Sequence, residues 1–321
     1  MSKEAAILSP NSIVVGDCVK LMSGLSQPLS DLVFADPPFN IGYKYDCYED
    51  RKAYDDYYVW TEKWMAGCVN VLKPTGSFWI AIGDEYAAEV RIIGRKLGLN
   101  LRNWVIWHYT FGQNAKAKFA RSHAHLFYFT RDPREFTFND MEVRIPSARQ
   151  TTYADVRANP KGKIPDDVWS FSRVCGTFLE RVKWHPCQMP EKVLERIIKV
   201  SSNAGDVVLD PFSGSGTTCC VAARLGRQYV GIDISENYVK HATARLADTL
   251  AGRRPKTDIA ENPEALREMR KHKSRICPAE QAAHKAEADV APVQSNRRRS
   301  GRPAGASAAS TYPLLGEDFR A

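Results

Sequence analysis

The sequence predicts an α/β fold built on a doubly wound, mostly parallel sheet. Short apolar runs rich in β-branched and aromatic residues alternate with longer segments of helical periodicity, the pattern of a sheet with helices on both faces. Four of those runs end at an acid, at Asp17, Asp36, Asp210 and Asp233. In a parallel sheet these carboxylates would share the edge where such folds bind ligands, although a single strand-end Asp can also merely cap the next helix.

The first half of the pattern extends to residue 130. Apolar runs predict strands over 13–15, 32–35, 77–82, 104–109 and 125–130. An apolar stripe predicts a helix over 54–72, which the Lys-Pro-Thr-Gly at 73–76 should stop, and Gly98 should end a helix over 84–97. A short helix over 18–25 and a loop over 40–52, rich in tyrosine and charge, complete this half.

The second half is interrupted before the pattern resumes. Residues 131–184 show neither helical nor strand periodicity and mix prolines, basic residues and aromatics. The segment is too long to be only a loop that connects two elements. Pro190 is predicted at the first position of a helix over 191–201. The remaining pattern predicts strands over 207–210 and 229–233 and helices over 217–225 and 235–250. Beyond 251 a helix is plausible around 263–273, and we expect much of 275–321 to be disordered.

The positive charge of the chain is concentrated in two segments. The 321 residues carry a net charge of +8; residues 111–184 hold 13 basic and 8 acidic residues, and residues 251–321 hold 14 and 9. The rest of the chain, with 18 basic and 20 acidic residues, is slightly negative. This distribution indicates a polyanionic partner, with a merely solvated basic surface as the alternative.

Several classes of protein are disfavoured by composition. No apolar run approaches the ~20 residues of a membrane helix, and the N-terminus lacks the apolar segment of a secretory signal. The eight cysteines show no C-x-x-C spacing and are interpreted as reduced thiols. We therefore expect a cytoplasmic protein. The irregular spacing of the histidines indicates no metal site; those considered are His108, His123, His125 and His185.

A glycine-bearing turn follows the strand that ends at Asp210. The sequence from Asp210 to Thr218 is D-P-F-S-G-S-G-T-T, in which glycines let the backbone approach a ligand and a helix N-terminus offers free N–H groups. It is neither a Walker A loop nor a dinucleotide fingerprint. Asp233 follows Asp210 by 23 residues, near the ~20-residue offset of an acid that holds ribose hydroxyls. A nucleoside without a pyrophosphate fits, such as S-adenosylmethionine.

The motif Asp36-Pro37-Pro38-Phe39 suits chemistry on the exocyclic amine of a base. Such an amine is a poor nucleophile because its lone pair is delocalised into the ring. The Asp36 carboxylate and the Pro37 carbonyl could each accept one amine proton in a hydrogen bond and so localise that lone pair. Phe39 offers a face on which a base taken out of its duplex can stack.

The two motifs together resemble the amino-methyltransferases of DNA, and their order, catalytic motif first, is similar to that of the β class. The resemblance covers about residues 11–250 and implies a Rossmann-like methyltransferase fold that uses S-adenosylmethionine. It implies a catalytic half over 11–130, a target-recognition insertion over 131–184 and a cofactor-binding half over 185–250. The tail over 251–321 falls outside it.

The resemblance also implies roles for residues at matching positions. The catalytic residues would be Asp36, Pro37, Pro38 and Phe39. Cofactor contacts would come from Asp17, Cys18, Asp36, His185, Gln188, Pro190, Asp210, Phe212, Ser213, Gly214, Ser215, Gly216, Thr217 and Asp233. In the segment from His185 to Pro190, Met189 stands where the family motif usually has Lys.

The implied function is site-specific methylation of adenine N6 in double-stranded DNA by base flipping and direct transfer, as in restriction–modification systems. A homodimer is expected because β-class relatives often dimerise. An acid before Pro-Pro favours adenine. Three alternatives stay open: a cytosine-N4 methyltransferase, an RNA methyltransferase and a catalytically silent DNA-binding regulator.

Two further motifs have competing interpretations. Pro186-Cys187-Gln188 is the tripeptide of cytosine-C5 methyltransferases, whose Cys attacks the base, but here it precedes the cofactor motif instead of following it. In the tail, 298–303 resembles an AT-hook for the minor groove of A·T-rich DNA. A basic soluble linker is the preferred interpretation, because short basic runs are common.

Overall fold

The computed structural model describes residues 8–109, 116–117, 119–153, 155–176 and 178–253. All of them belong to one compact unit of the chain. The predicted helix around 263–273 and the AT-hook-like segment lie outside the described residues. None of the described helices has the length and apolarity needed to cross a membrane.

One eight-stranded sheet organises the described chain, in the spatial order β1-β8-β7-β2-β3-β5-β4-β6. Its strands are β1 Ser12–Val15, β2 Ser30–Ala35, β3 Leu72–Ile82, β4 Asn100–His108, β5 His123–Thr130, β6 Val168–Ser170, β7 Val207–Asp210 and β8 Gln228–Asp233. Only β5 runs antiparallel to its neighbours β3 and β4, and the other pairs are parallel. The predicted α/β, mostly parallel sheet is confirmed.

Helices cover both faces of this sheet. They are α1 Cys18–Ser23, α2 Tyr54–Val71, α3 Ala87–Lys96, α4 Asp140–Val143, α5 Ala148–Thr151, α6 Glu191–Ser201, α7 Thr217–Arg224 and α8 Glu236–Leu250. Successive residues of β2 enter opposite cores: Val33 packs with α1, α2 and α3, and Leu32 packs with α6, α7 and α8. Burial on both faces explains why the central strands are continuously apolar rather than alternating.

Several predicted boundaries were wrong by a few residues. The Lys-Pro-Thr-Gly at 73–76 does not separate helix from strand, because β3 begins at Leu72. The helix predicted over 84–97 begins as a 3-10 turn, Asp84–Tyr86, before α3. Pro190 is the N-cap of α6, one position before the helix. A proline ring tolerates either position because its missing N–H would be unpaired in both.

The insertion over 131–184 contributes a strand to the sheet. Its short strand β6 pairs with β4, Trp169 opposite Trp107, and Arg196 of α6 lies over the rings of Trp169 and Phe171. These contacts hold the insertion against the sheet and α6. The sequence could not reveal β6, because three residues carry no usable periodicity.

Candidate active site

The four strand-end acids line a single cavity of about 380 Å³ at the carboxyl edge of the sheet. Asp17 follows β1, Asp233 ends β8, Asp210 ends β7 and Asp36 follows β2. These four strands are consecutive neighbours in the sheet. The topology therefore brings together acids that are up to 216 residues apart in the sequence, Asp17 and Asp233.

Asp36 is the acid of this group that has no hydrogen-bond donor among the described residues. Desolvation, with a smaller contribution from the nearby Asp210, raises the pKa of Asp36 to about 8. The following backbone is held by the Tyr57 hydroxyl, which donates to the Pro38 carbonyl at 2.6 Å. The Pro37 carbonyl has no donor within the described parts of the chain. Two acceptors therefore remain available side by side at the cavity.

The other three acids are already engaged by the protein. Asp17 caps α1, accepting from the Val19 N–H at 2.9 Å. Asp210 accepts from the Phe212 N–H at 2.9 Å and from the hydroxyl of buried Thr218. Burial raises the pKa of Asp210 to about 7 despite these bonds. The cap interpretation is thus correct for Asp17, although Asp17 also lines the cavity.

Asp233 connects the glycine turn to the start of α8. Its two carboxylate oxygens accept from the backbone N–H groups of Gly214 at 2.8 Å and Ser235 at 2.9 Å. Burial raises its pKa. The same carboxylate faces the cavity, so it can still accept a hydrogen bond from a ligand through its remaining lone pairs.

The glycines of the turn are required by the packing of the protein itself. Gly214 has φ +47°, and a Cβ there would lie 2.7 Å from Nε2 of His185. Gly216 has φ +72°, and its Cβ would lie 2.8 Å from that of Ala242. Packing thus gives a reason for glycine at both positions that does not involve a ligand, and the predicted approach of a ligand to this turn stays a prediction. Gly214 lines the cavity, whereas Gly216 lies outside its lining.

His185 and Cys18 are neutral parts of the cavity wall. Burial lowers the pKa of His185 to about 4, and burial together with Asp17 raises the pKa of Cys18 to about 12. Both side chains are consequently uncharged at neutral pH. Any contact from His185 to a ligand carboxylate would be a hydrogen bond rather than an ion pair.

Two residues of the predicted cofactor motif lie away from the cavity lining. The Gln188 side chain accepts from the Val182 N–H at 2.9 Å and donates to the Glu180 carbonyl at 2.7 Å, which ties the preceding loop to it. Pro190 caps α6. The structure therefore gives both residues roles within the protein, and their predicted contact with a cofactor stays a prediction. Met189 between them does line the cavity.

The remaining predicted site residues all line the cavity: Pro37, Pro38, Phe39, Phe212, Ser213, Ser215 and Thr217. Lining residues that the sequence did not identify include five aromatic side chains: Tyr43, Tyr45, Tyr48, Trp60 and Tyr238. The first three come from the loop over 40–52. Its tyrosine content was the one available signal, because irregular loops have no period from which a facing direction can be deduced.

Cys187 also lines the cavity, yet it does not resemble an activated nucleophile. Desolvation, with a contribution from Asp36, raises the pKa of its thiol to about 12. A covalent mechanism needs the thiolate. The structure therefore gives no support to the cytosine-C5 interpretation.

Asp84, His123 and His125 come together with their ligand atoms within 4.8 Å of one another. The spacing of the histidines did not indicate this cluster. Asp84 already pairs with Arg121 at 3.1 Å, and Nδ1 of His125 accepts from the Trp104 indole at 2.9 Å. That hydrogen bond places the proton of a neutral His125 ring on Nε2, where it would block a metal ion. We assign no metal here.

Comparison with known proteins identifies the family. A family model described as DNA methylase matches residues 30–244. Type II methyltransferase M.HpaI of Haemophilus parainfluenzae is 36% identical over 241 residues, 75% of each chain. DNA adenine methyltransferase YhdJ of Escherichia coli is 35% identical over 73% of this chain and 82% of its own. The chain belongs to the N6/N4 DNA methylase family.

Solved structures show the same fold. The M1.HpyAVI complex with S-adenosylmethionine has a TM-score of 0.56 at 21% identity and covers 73% of this chain and 98% of its own. The cytosine-N4-specific PvuII DNA methyltransferase has a TM-score of 0.57 at 19% identity and covers 76% of this chain and 93% of its own.

The protein is an S-adenosylmethionine-dependent DNA methyltransferase. The cavity suits this cofactor, because the Asp36 carboxyl, which no donor reaches within the described parts of the chain, lies beside Asp210 at the end of the neighbouring strand. Carboxylates favour a nearby positive charge such as the sulfonium of the cofactor. The resemblance to the amino-methyltransferases of DNA that the two motifs suggested is confirmed at the level of the family.

Proposed function

We propose that the chain methylates the N6 amine of adenine within a short specific site of double-stranded DNA, by taking the base out of the duplex and by direct transfer. The observation that carries this proposal is the pair of acceptors at Asp36 and Pro37, which receive no hydrogen bond from any residue that the structure describes. The acid before Pro-Pro and the 35% identity to an adenine methyltransferase favour adenine over cytosine.

In this proposal the residues around Asp36 prepare the amine. The Asp36 carboxylate and the Pro37 carbonyl each accept one N–H of the amine, which localises the nitrogen lone pair and aims it into the cavity. The hydrogen bond from Tyr57 to Pro38 keeps the Pro37 carbonyl in place. Phe39, partly buried against the core, stacks on the base. When bound, the cofactor supplies an already activated methyl group, so alignment carries much of the rate.

The residues of the other half hold the cofactor. We assign the adenine moiety to Asp17 and Cys18, and the ribose hydroxyls to Asp233, which retains lone pairs facing the cavity. The turn from Phe212 to Thr217, together with His185, is assigned to binding the methionine portion of the cofactor. In this assignment residues 11–130 form the catalytic half and residues 185–250 the cofactor half.

The insertion over 131–184 is assigned to target recognition. It exposes apolar side chains next to a basic one: Tyr153 is 73% exposed and Val156 98% exposed, and Arg157, which pairs with Asp155, has 82% of its side chain exposed. Basic side chains bind phosphates and position a protein on a duplex, whereas base contacts supply specificity. This surface offers both kinds of group.

Sequencing that detects base modification tests the proposal. Plasmid DNA is prepared from a methylation-free host that expresses the full chain or its Asp36→Ala variant. The expected result is N6-methyladenine confined to one short motif and absent with the variant. N4-methylcytosine at that motif would overturn the adenine assignment while keeping the enzyme class. An unmodified plasmid, with methyl transfer found on RNA, would overturn DNA as the substrate of this site.

We also propose a cytoplasmic homodimer. Similarity to the β class supports the dimer, and the neighbouring helices α2 and α3 expose Val59 and Ile92. Light scattering with and without duplex DNA should give twice the chain mass, and a monomer in both conditions would contradict the dimer. Fractionation of expressing cells should recover the chain with the cytoplasmic proteins.

A further inference from the structure

Residues 40–50 form a strap that crosses the cavity. The strap starts directly after the Asp36 motif at the end of β2, and its Asp46 reaches the beginning of α8, which follows β8. In the sheet β7 lies between β2 and β8. The strap therefore passes over the carboxyl end of β7, where the glycine turn lies, and its tyrosines line the cavity.

The base of the strap, formed by residues 40–43 and Asp50, is held very differently from its tip at Asp46. At its base, the buried Asp50 carboxylate, 2% exposed, accepts four consecutive backbone N–H groups. These donors are Asn40 at 2.7 Å, Ile41 at 3.2 Å, Gly42 at 3.1 Å and Tyr43 at 2.8 Å. A buried carboxylate with four donors is costly to disturb. The base of the strap is thus a fixed anchor.

The tip of the strap is held by two hydrogen bonds at Asp46, which is exposed. Its carboxylate accepts from the Ser235 hydroxyl, and its N–H donates to the Tyr238 hydroxyl at 3.2 Å. Ser235 is also the N-cap of α8, so the carboxylate lies at the positive end of a helix dipole. Two hydrogen bonds at an exposed residue open more easily than the four at the buried Asp50 carboxylate.

We propose that Asp46 is a positioning residue that latches the strap over the bound cofactor, and that the strap swings on its Asp50 anchor to let cofactor enter and leave. Asp233, two residues before Ser235, faces the cavity beneath this latch. The strap continues into the Asp36 motif at its other end.

The dissociation rate of S-adenosylmethionine from the full chain, without DNA, tests the latch. Preloaded labelled cofactor is chased with excess unlabelled cofactor in the wild type, in Asp46→Ala and in Glu49→Ala. Glu49 is an exposed acid on the same strap and serves as the matched control. We expect about tenfold faster dissociation with Asp46→Ala and no change with Glu49→Ala, because each hydrogen bond to a charged group contributes at least that factor.

Two further variants keep the test decisive. Asp46→Asn retains an acceptor for Ser235 and should restore most of the slow dissociation, whereas Tyr238→Phe removes only the second hydrogen bond and should have an intermediate effect. Equal dissociation rates in Asp46→Ala and Glu49→Ala would overturn the proposal. If Asp46→Ala fails to fold, a wild-type rate in Tyr238→Phe would overturn it instead. No outcome depends on which base is methylated.

Discussion

Asp36 and Asp210 end neighbouring strands of one sheet, yet the protein treats the two acids in opposite ways. β2 and β7 pair in parallel, Val33 opposite Leu209. Asp210 is bonded by a backbone N–H and by Thr218, whereas no donor among the described residues reaches Asp36. A shared position at the edge of the sheet therefore does not give two acids the same role. The acid left without partners is the one available to a substrate.

Replacing the unpartnered acid should have the largest effect. Asp36→Ala should lower the rate of methyl transfer about 10³-fold, the usual range for a group that acts on the transition state. Cofactor affinity should fall by a much smaller factor, because Asp36 contributes one charge interaction with the sulfonium while other residues bind the rest of the cofactor. Transfer of a tritiated methyl group and calorimetric titration with cofactor measure the two quantities.

Asp56→Ala, at an exposed acid of α2, is the control for that experiment and should behave as wild type. Activity of Asp36→Ala within tenfold of wild type would remove Asp36 from the catalytic group. A parallel loss of cofactor affinity would instead assign Asp36 chiefly to cofactor binding.

The pH dependence of methyl transfer should reflect the ionisation of Asp36. Burial raises the pKa of Asp36 to about 8, and the ionised carboxylate is the better acceptor for an amine. In the cofactor-free enzyme kcat/KM should therefore fall as pH falls through about 8, by about tenfold per pH unit below it. A positively charged cofactor favours the ionised carboxylate. The fall of kcat with falling pH should therefore occur at a lower pH than the fall of kcat/KM.

Rates of the wild type measured between pH 6 and 9.5, with and without saturating cofactor, check both limbs. Asp36→Asn cannot ionise there and should show a flat residual rate over this range. A limb that persists in Asp36→Asn would belong to another group, Asp210 being the neighbour with its pKa raised to about 7.

The smallest expected effect is on the stability of the fold, when Asp210 loses one of its hydrogen bonds. Thr218→Val keeps the shape of the side chain but removes the buried hydroxyl that donates to Asp210. Loss of such a bond costs about 1–3 kcal/mol, which lowers Tm by about 3–10 °C in a domain of this size. The hydroxyl lowers the pKa of Asp210, so the loss should grow as pH rises through about 7, where the carboxyl ionises.

Thermal melts at pH 5.5 and 8.5 measure this difference, and Thr218→Ser, which keeps a hydroxyl, should remain near wild type. An equal loss of Tm at both pH values would mean that Thr218 acts through packing and not through the charge of Asp210. The distinction between the two acids would then rest on Asp36 alone.

The elements that the sequence predicted well are those with a local signal. Strand-to-acid junctions and the helix α6, predicted over 191–201 and observed as Glu191–Ser201, follow from apolar runs and periodicity. The three-residue strand β6, the continuation of β3 through 73–76 and the cap position of Pro190 depend on partners distant in the chain. Local propensity gives no access to those partners.

The sequence by itself determined the class of protein: the Asp36 motif, the glycine turn and their order are contiguous residue patterns whose chemistry is readable without coordinates. Only the tertiary structure decided which acid is unengaged, that His185 and Ala242 are what require Gly214 and Gly216, and that Gln188 serves a loop. It also created the latch, whose partners Asp46 and Ser235 are 189 residues apart. Such contacts follow from strand order, because the sheet sets which loops share an edge.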